Sequence, residues 1–156
     1  MKKLLIFAIL IGALFVSSGQ TYEQQSLIPT LQKLFPDKPM EDQLSTLEVP
    51  YWGKKISVEE RGYYYFVEFL VRKSAHFFIF GLLATVIYLL LPKRSFRMLG
   101  ALFFTLLFAI GDEYHQSLTG GRTASFQDVL LDMSGAVTFL IVIRLLTAIK
   151  RLLKIR

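Results

Sequence analysis

Four apolar runs divide this chain. Leu4 to Val16 is followed by Ser17-Ser18-Gly19. Tyr63 to Leu91 carries Glu68, Arg72, Lys73 and His76 in its first half. From Phe77 onward it is apolar except for Thr85 and Tyr88, and Pro92 ends it. Met98 to Ile110 is the third run and Phe126 to Ile149 the fourth. A hydrocarbon core ~30 Å thick is crossed by about 20 helical residues. The pattern therefore predicts helices over residues 4–18, 63–91, 98–115 and 126–149. The expected fold is an all-α integral membrane protein, a single domain over 1–156 built as a bundle of four transmembrane helices. The first run is short and reads in two ways. It is a cleavable signal peptide, with Lys2-Lys3, a short apolar core and small residues after it, or it is an uncleaved first helix. The four-helix bundle takes the second reading, and both place Gln20 outside the cytoplasm.

Residues 19–62 form the expected extracytoplasmic loop of short helices and extended segments between helices 1 and 2. Ser26 reads as the cap of a short helix with Pro29 in its first turn. Leu27, Ile28, Leu31, Leu34 and Phe35 then share a face, suited to the membrane surface or to the outer end of the bundle. Asp37-Lys38-Pro39 opens a second short helix reaching Leu47. Val49 to Val58 reads as a hairpin or extended loop around Gly53, and its Tyr51 and Trp52 suit a membrane interface.

Composition agrees with the pattern. Hydrophobic residues make up 53% of the 156 residues, more than a soluble domain of this size buries. The net charge of +6 does not imply nucleic acid, because the basic residues cluster at the ends of apolar runs. Lys2 and Lys3, the Lys93–Arg97 loop and the tail from Lys150 to Arg156 all belong on the cytoplasmic side by the positive-inside rule. Both termini are then cytoplasmic, the protein is multi-pass, and the lipid bilayer is its first partner. Cysteine is absent, which excludes disulfides and thiolate metal sites.

The chemistry gathers in Gly111 to Gly135, where ionisable side chains adjoin apolar runs. Each costs about 2.5–3.5 kcal/mol at the centre of a membrane helix. Counting from the cytoplasmic ends, His76 lies ~22 Å, Asp112 ~21 Å and Asp132 ~25 Å along its helix. Three helices thus carry polar groups at one level, toward the extracytoplasmic face. Asp112 and Gln116 are i,i+4 if their helix continues that far, although Asp112 to Ser125 also reads as a turn region. Asp128, Asp132 and Gly135 form a stripe, and Gly135 admits a close neighbouring helix. Lys73, His76, Asp112, Glu113, Gln116, Arg122, Asp128 and Asp132 are the candidate ligand-binding residues. His76, Asp112 and Glu113 are the candidates for acid/base catalysis. The alternative is an ion-pair network in which Arg72, Lys73 and Arg122 neutralise the carboxylates. His76, His115, Asp112 and Asp132 have the donor types for a divalent metal but no ligand spacing, so no metal and no cofactor is expected. Ser74, Ser117 and Ser125 lack a nucleophile elbow.

At these residues the chain resembles the VanZ-like membrane protein family. The resemblance is carried by Arg72-Lys73-Ser74-Ala75-His76-Phe77, by Asp112-Glu113-Tyr114-His115-Gln116, by Arg122 and by Asp128 to Ala136. It extends to Ser17–Gln20 and to Tyr51–Glu68. Asp132 stands where members often carry Asn. The resemblance implies a bacterial cell-envelope protein that retains its first helix. It also implies a link to resistance against teicoplanin and related glycopeptides, which act on cell-wall precursors outside the membrane. It brings no settled activity. The leading expectation is a pocket for an envelope or antibiotic-related ligand, such as a cell-wall precursor or a glycopeptide. The alternatives are an intramembrane enzyme on a lipid-linked or glycopeptide substrate, and an interaction protein held by buried ion pairs.

Overall fold

A computed structural model describes residues 1–51, 53–119 and 124–154. The chain is mostly helical, in the order α1 (Lys2–Ser18), α2 (Ile28–Leu34), α3 (Glu41–Ser45), β1 (Val49–Tyr51), β2 (Lys54–Ile56), α4 (Val58–Arg61), α5 (Tyr63–Leu90), α6 (Arg97–Ser117) and α7 (Phe126–Lys154). The central element is α5, which packs against α1, α6 and α7. Phe80, Leu83, Ala84 and Ile87 of α5 form the core with Ala101 and Ala109 of α6 and Ala136 and Leu140 of α7. A second, smaller core of Ile56, Val58, Tyr63 and Phe66 lies under the hairpin at the start of α5.

Two helices, Tyr63–Leu90 and Phe126–Leu153, are long and apolar enough to cross a membrane, with mean hydropathies of 1.7 and 2.1. Only 33% and 28% of these segments are buried, so neither is the enclosed core helix of a soluble protein. Large apolar side chains also line the outer faces of α1 and α6, among them Leu5, Ile9, Phe15, Phe103, Leu107 and Ile110.

Several boundaries differ from the sequence reading. Ser26 is not the cap of α2. That helix starts at Ile28 with Leu27 as its N-cap, and the Leu27 amide donates to Glu68 Oε1 at 2.6 Å. A buried carboxylate from α5 thus satisfies one of the free amides at the start of α2. Leu31 is the buried contact of α2, whereas Leu27, Leu34 and Phe35 stay exposed. The second short helix is confined to Glu41–Ser45, because Lys38 and Met40 adopt positive φ values of 45° and 61°. Residues 112–117 are not a turn but the last turns of α6, held by the Gln116 Nε2 to Asp112 Oδ2 hydrogen bond of 2.6 Å. The fourth helix runs on past residue 149 to Lys154. The hairpin forms around Gly53, whose φ of +66° suits its tight turn, with Val49 opposite Ile56.

The parallel helices α5 and α7 approach closely at Phe77 and Gly135, where a Cβ would collide with the Phe77 backbone carbonyl. Gly135→Ala should therefore destabilise the protein by about 1–3 kcal/mol, the usual cost of overpacking. Gly12→Ala, in α1 with nothing within 4 Å of the added methyl, should be neutral or slightly stabilising. Denaturant unfolding in detergent micelles compares the two, and equal effects would refute the close approach.

Candidate functional site

The register set at Gly135 places charged side chains of α5 and α7 opposite one another, one helical turn apart. In the first rung Lys73 Nζ donates to Asp128 Oδ1 and, at 2.7 Å, to the Tyr51 hydroxyl. Tyr51 donates to the same Asp128 oxygen. The ammonium also lies 4.5 Å from the centroid of the Tyr51 ring and 5.7 Å from that of Phe69, within cation–π range. Burial pushes the Tyr51 phenol well above its usual pKa, and its hydrogen bond to the Asp128 carboxylate adds to the shift. Tyr51 therefore stays protonated and remains a donor to Asp128. In the second rung His76 Nδ1 lies 3.3 Å from Asp132 Oδ1. Asp132 is fully buried, and among the described residues neither its oxygens nor His76 Nδ1 has an aligned hydrogen-bond partner.

The third wall comes from α6. Asp112 and Gln116, one turn apart on α6, are buried and face the same space. Glu113 points elsewhere. Its Oε2 accepts from the Ser125 amide at 2.7 Å, and Ser125 Oγ accepts from the Asp128 amide at 3.2 Å in the manner of a helix cap. Glu113 thus fixes the start of α7, and with it Asp128, from outside the cavity. Unlike Asp112 and Gln116, it does not line the cavity.

A separate network lies one turn along α5. Glu68, 1% exposed, pairs with Arg72 at 3.0 Å and accepts from the Leu27 amide and from the Tyr22 hydroxyl at 3.3 Å. Arg72 reaches Gln25 Oε1 at 2.7 Å and sits 4.8 Å over the Tyr22 ring. The Tyr22 phenol is also raised, first by burial and then by the Glu68 charge.

These groups enclose a cavity of about 740 Å³. Lys73, His76, Asp112, Gln116 and Asp128 line it from the bundle, and Tyr22 and Tyr51 line it from the loop. Asp132 stands behind His76. Arg122 lies outside the described residues. His115, a possible metal donor by type, is elsewhere: its Nδ1 is 2.6 Å from Ser18 Oγ and its ring stacks on Phe15 at 4.7 Å, bracing α1 against α6. Among the described residues no three His, Asp or Glu side chains gather as a metal site. Tyr22, Tyr51 and Glu68 were not candidates by sequence. Their signal was at most interfacial aromatics and one acid on an apolar helix.

Apolar outer faces, two membrane-length helices and a charged layer shared by three helices define the class: a helical membrane protein with charged side chains inside its bundle. The chain belongs to the VanZ/LLP1 family, which it matches over residues 3–147. That family is linked, as a family, to teicoplanin resistance. No curated protein and no solved structure matches the chain.

A double-mutant cycle tests the first rung. Lys73→Met and Asp128→Asn should each destabilise, and the pair should couple by at least about 1 kcal/mol, within the range for groups in direct contact. Unfolding in micelles measures this, and additive effects would mean that the two do not stabilise each other.

Proposed function

We propose that the chain is a four-span cell-envelope protein whose polar cavity opens to the extracytoplasmic face and binds an envelope or antibiotic-related ligand. The basic segments at both ends and between α5 and α6 support this orientation under the positive-inside rule. The apolar outer faces of α1 and α6 support their contact with lipid. Helix α1, with 17 residues, spans ~25 Å and fits a slightly thinned bilayer.

The observation that carries the reading is the cavity itself. Its volume of about 740 Å³ falls within the range of small-molecule sites. Maintaining polar groups around an open space inside an apolar bundle costs stability. A dry ion-pair network would instead close around its charges. Donors and acceptors converge from α5, α6, α7 and the hairpin, which suits a ligand with several polar groups.

His76 favours a second reading. It lines the cavity while its Nδ1 approaches the buried Asp132, the arrangement of a histidine oriented by a carboxylate for acid/base work. Asp132, rather than Asp112 or Glu113, is then the partner that orients it.

Susceptibility to teicoplanin of cells expressing the chain separates these readings. Ala75 lines the cavity without pairing to any of its charges. Ala75→Phe should fill the space and return susceptibility to the level of cells lacking the protein, at unchanged membrane abundance. Protection retained by Ala75→Phe would rule out the cavity as the site of action. His76→Gln keeps a polar lining, so loss of protection with ligand binding intact would select the enzymatic reading.

A further inference from the structure

One end of the bundle carries cations and no carboxylate side chains. Lys3 Nζ donates to the Leu89 carbonyl at 3.3 Å, and the Arg97 guanidinium lies 4.2 Å over the Tyr88 ring. The start of α1, the end of α5 and the start of α6 therefore meet at one level. Gly135 lies against Phe77 and Gly81 against Phe139, and the same offset sets Leu90, the last residue of α5, beside Ala148 of α7. Lys93, Arg94, Lys150 and Arg151, all exposed, belong to this end as well. It is built from residues 1–22, 77–111 and 133–156, and none of these stretches contains Asp or Glu.

The end of α7 adds an apolar face. Residues 149–154 carry this helix ~9 Å past the end of α5. Leu145, Leu146, Ile149, Leu152 and Leu153 form one stripe by their spacing, and each is half or more exposed. Arg144, Lys150 and Arg151 fall on the other side of the helix. This is the pattern of a basic amphipathic segment at a bilayer surface. Long basic side chains in such a place lay their stems along hydrocarbon and hold their charges at the level of the lipid phosphates.

We propose that this end of the bundle is a binding surface for anionic phospholipids. Lys93, Arg94, Lys150 and Arg151 meet the headgroup phosphates, and the acyl chains run along the leucine stripe of α7. No carboxylate side chain at this end competes for the cations, so a phosphate meets charges that the protein does not neutralise. A soluble acidic partner would satisfy the charge alone. The exposed leucines at the same level continue the apolar surface of a membrane-length helix, and this favours a lipid. The inference goes beyond the cavity reading: it rests on α5 and α7 crossing a bilayer and not on what the cavity holds. Because the cations are exposed, the attraction weakens with salt.

Brominated lipids quench a nearby tryptophan, and this provides the readout. Trp52→Phe removes the single native indole, and Phe96→Trp or Leu118→Trp then places a reporter at the basic or the opposite end of α6, both at exposed positions. Each full-length variant is reconstituted in vesicles of equal parts phosphatidylglycerol and phosphatidylcholine, with one lipid or the other brominated. Both leaflets have the same composition, so the orientation of the protein does not affect the result. The Phe96→Trp reporter should show phosphatidylglycerol enriched about threefold over phosphatidylcholine. The Leu118→Trp reporter should lie close to parity, because carboxylates accompany the cations at that end. Salt at about 1 M should bring the first ratio down to parity. The double variants Lys93→Gln, Arg94→Gln and Lys150→Gln, Arg151→Gln should each lower the ratio, and the four substitutions together should abolish it. The salt dependence reads the same attraction on the unsubstituted surface should a variant fail to insert. Parity at Phe96→Trp, equal enrichment at the two reporters, or enrichment that neither salt nor the variants lower overturns the inference. Quenching by both lipids at parity leaves the membrane-spanning reading intact. Quenching by neither lipid at Phe96→Trp places this end outside the bilayer and overturns both.

Discussion

The approach of α5 to α7 at Phe77 and Gly135 sets the register on which the charged layer depends. With no side chain at Gly135, the two parallel helices meet backbone against backbone, and Lys73 falls opposite Asp128 and His76 opposite Asp132. A mid-helix glycine costs about 0.5–1 kcal/mol relative to alanine. A side chain there would push the Phe77 backbone away and draw the part-buried Lys73–Asp128 pair apart, so glycine suits this crossing. Gly81 repeats the device one turn on, where a Cβ would press into the Phe139 ring.

The loop between α1 and α5 completes what the bundle begins. Three helices supply two cations, a histidine and several carboxylates, but they leave the Lys73–Asp128 pair open on one side. Tyr51 closes that side with a hydroxyl that both accepts from Lys73 and donates to Asp128. A phenol suits the place because it is neutral and carries an apolar ring over the ammonium. Glu68 plays the reciprocal part for the first segment of the loop, holding Leu27 and Tyr22 against α5. Loop and bundle are therefore one electrostatic unit, and the loop's fold is fixed by charges that belong to the helices.

The helices were legible in the sequence because apolar runs of that length have few alternatives, and the three-helix polar layer followed from counting residues along them. The hairpin was legible from Gly53 and its flanking residues. The partners within the layer were not. Tyr51 and Asp128 are 77 positions apart, and nothing local in Val49–Val58 marks one aromatic as a ligand of a distant lysine. Glu113 misled for a different reason. It adjoins Asp112 in sequence, but successive residues on a helix point about 100° apart, so only one of the two faces the cavity. His115 likewise matches the donor types of the layer while facing α1. The end of α6 was obscured because polar residues end a hydrophobic pattern before they end a helix.

The structure also reassigns the cations, and this changes what the site can recognise. By sequence, Lys73 is the natural anchor for an anionic ligand. In the fold its three N–H donors face Asp128, Tyr51 and aromatic rings, so an incoming anion would have to displace a carboxylate that α7 holds in place through its capped start. Exchanging one carboxylate for another anion gains little when both are dehydrated. Lys54 and Arg61 also line the cavity, and both are exposed and without a carboxylate partner among the described residues. The paired layer then has a separate part. It ties α5 to α7 through the Lys73–Asp128 contact and anchors the hairpin to both through Tyr51.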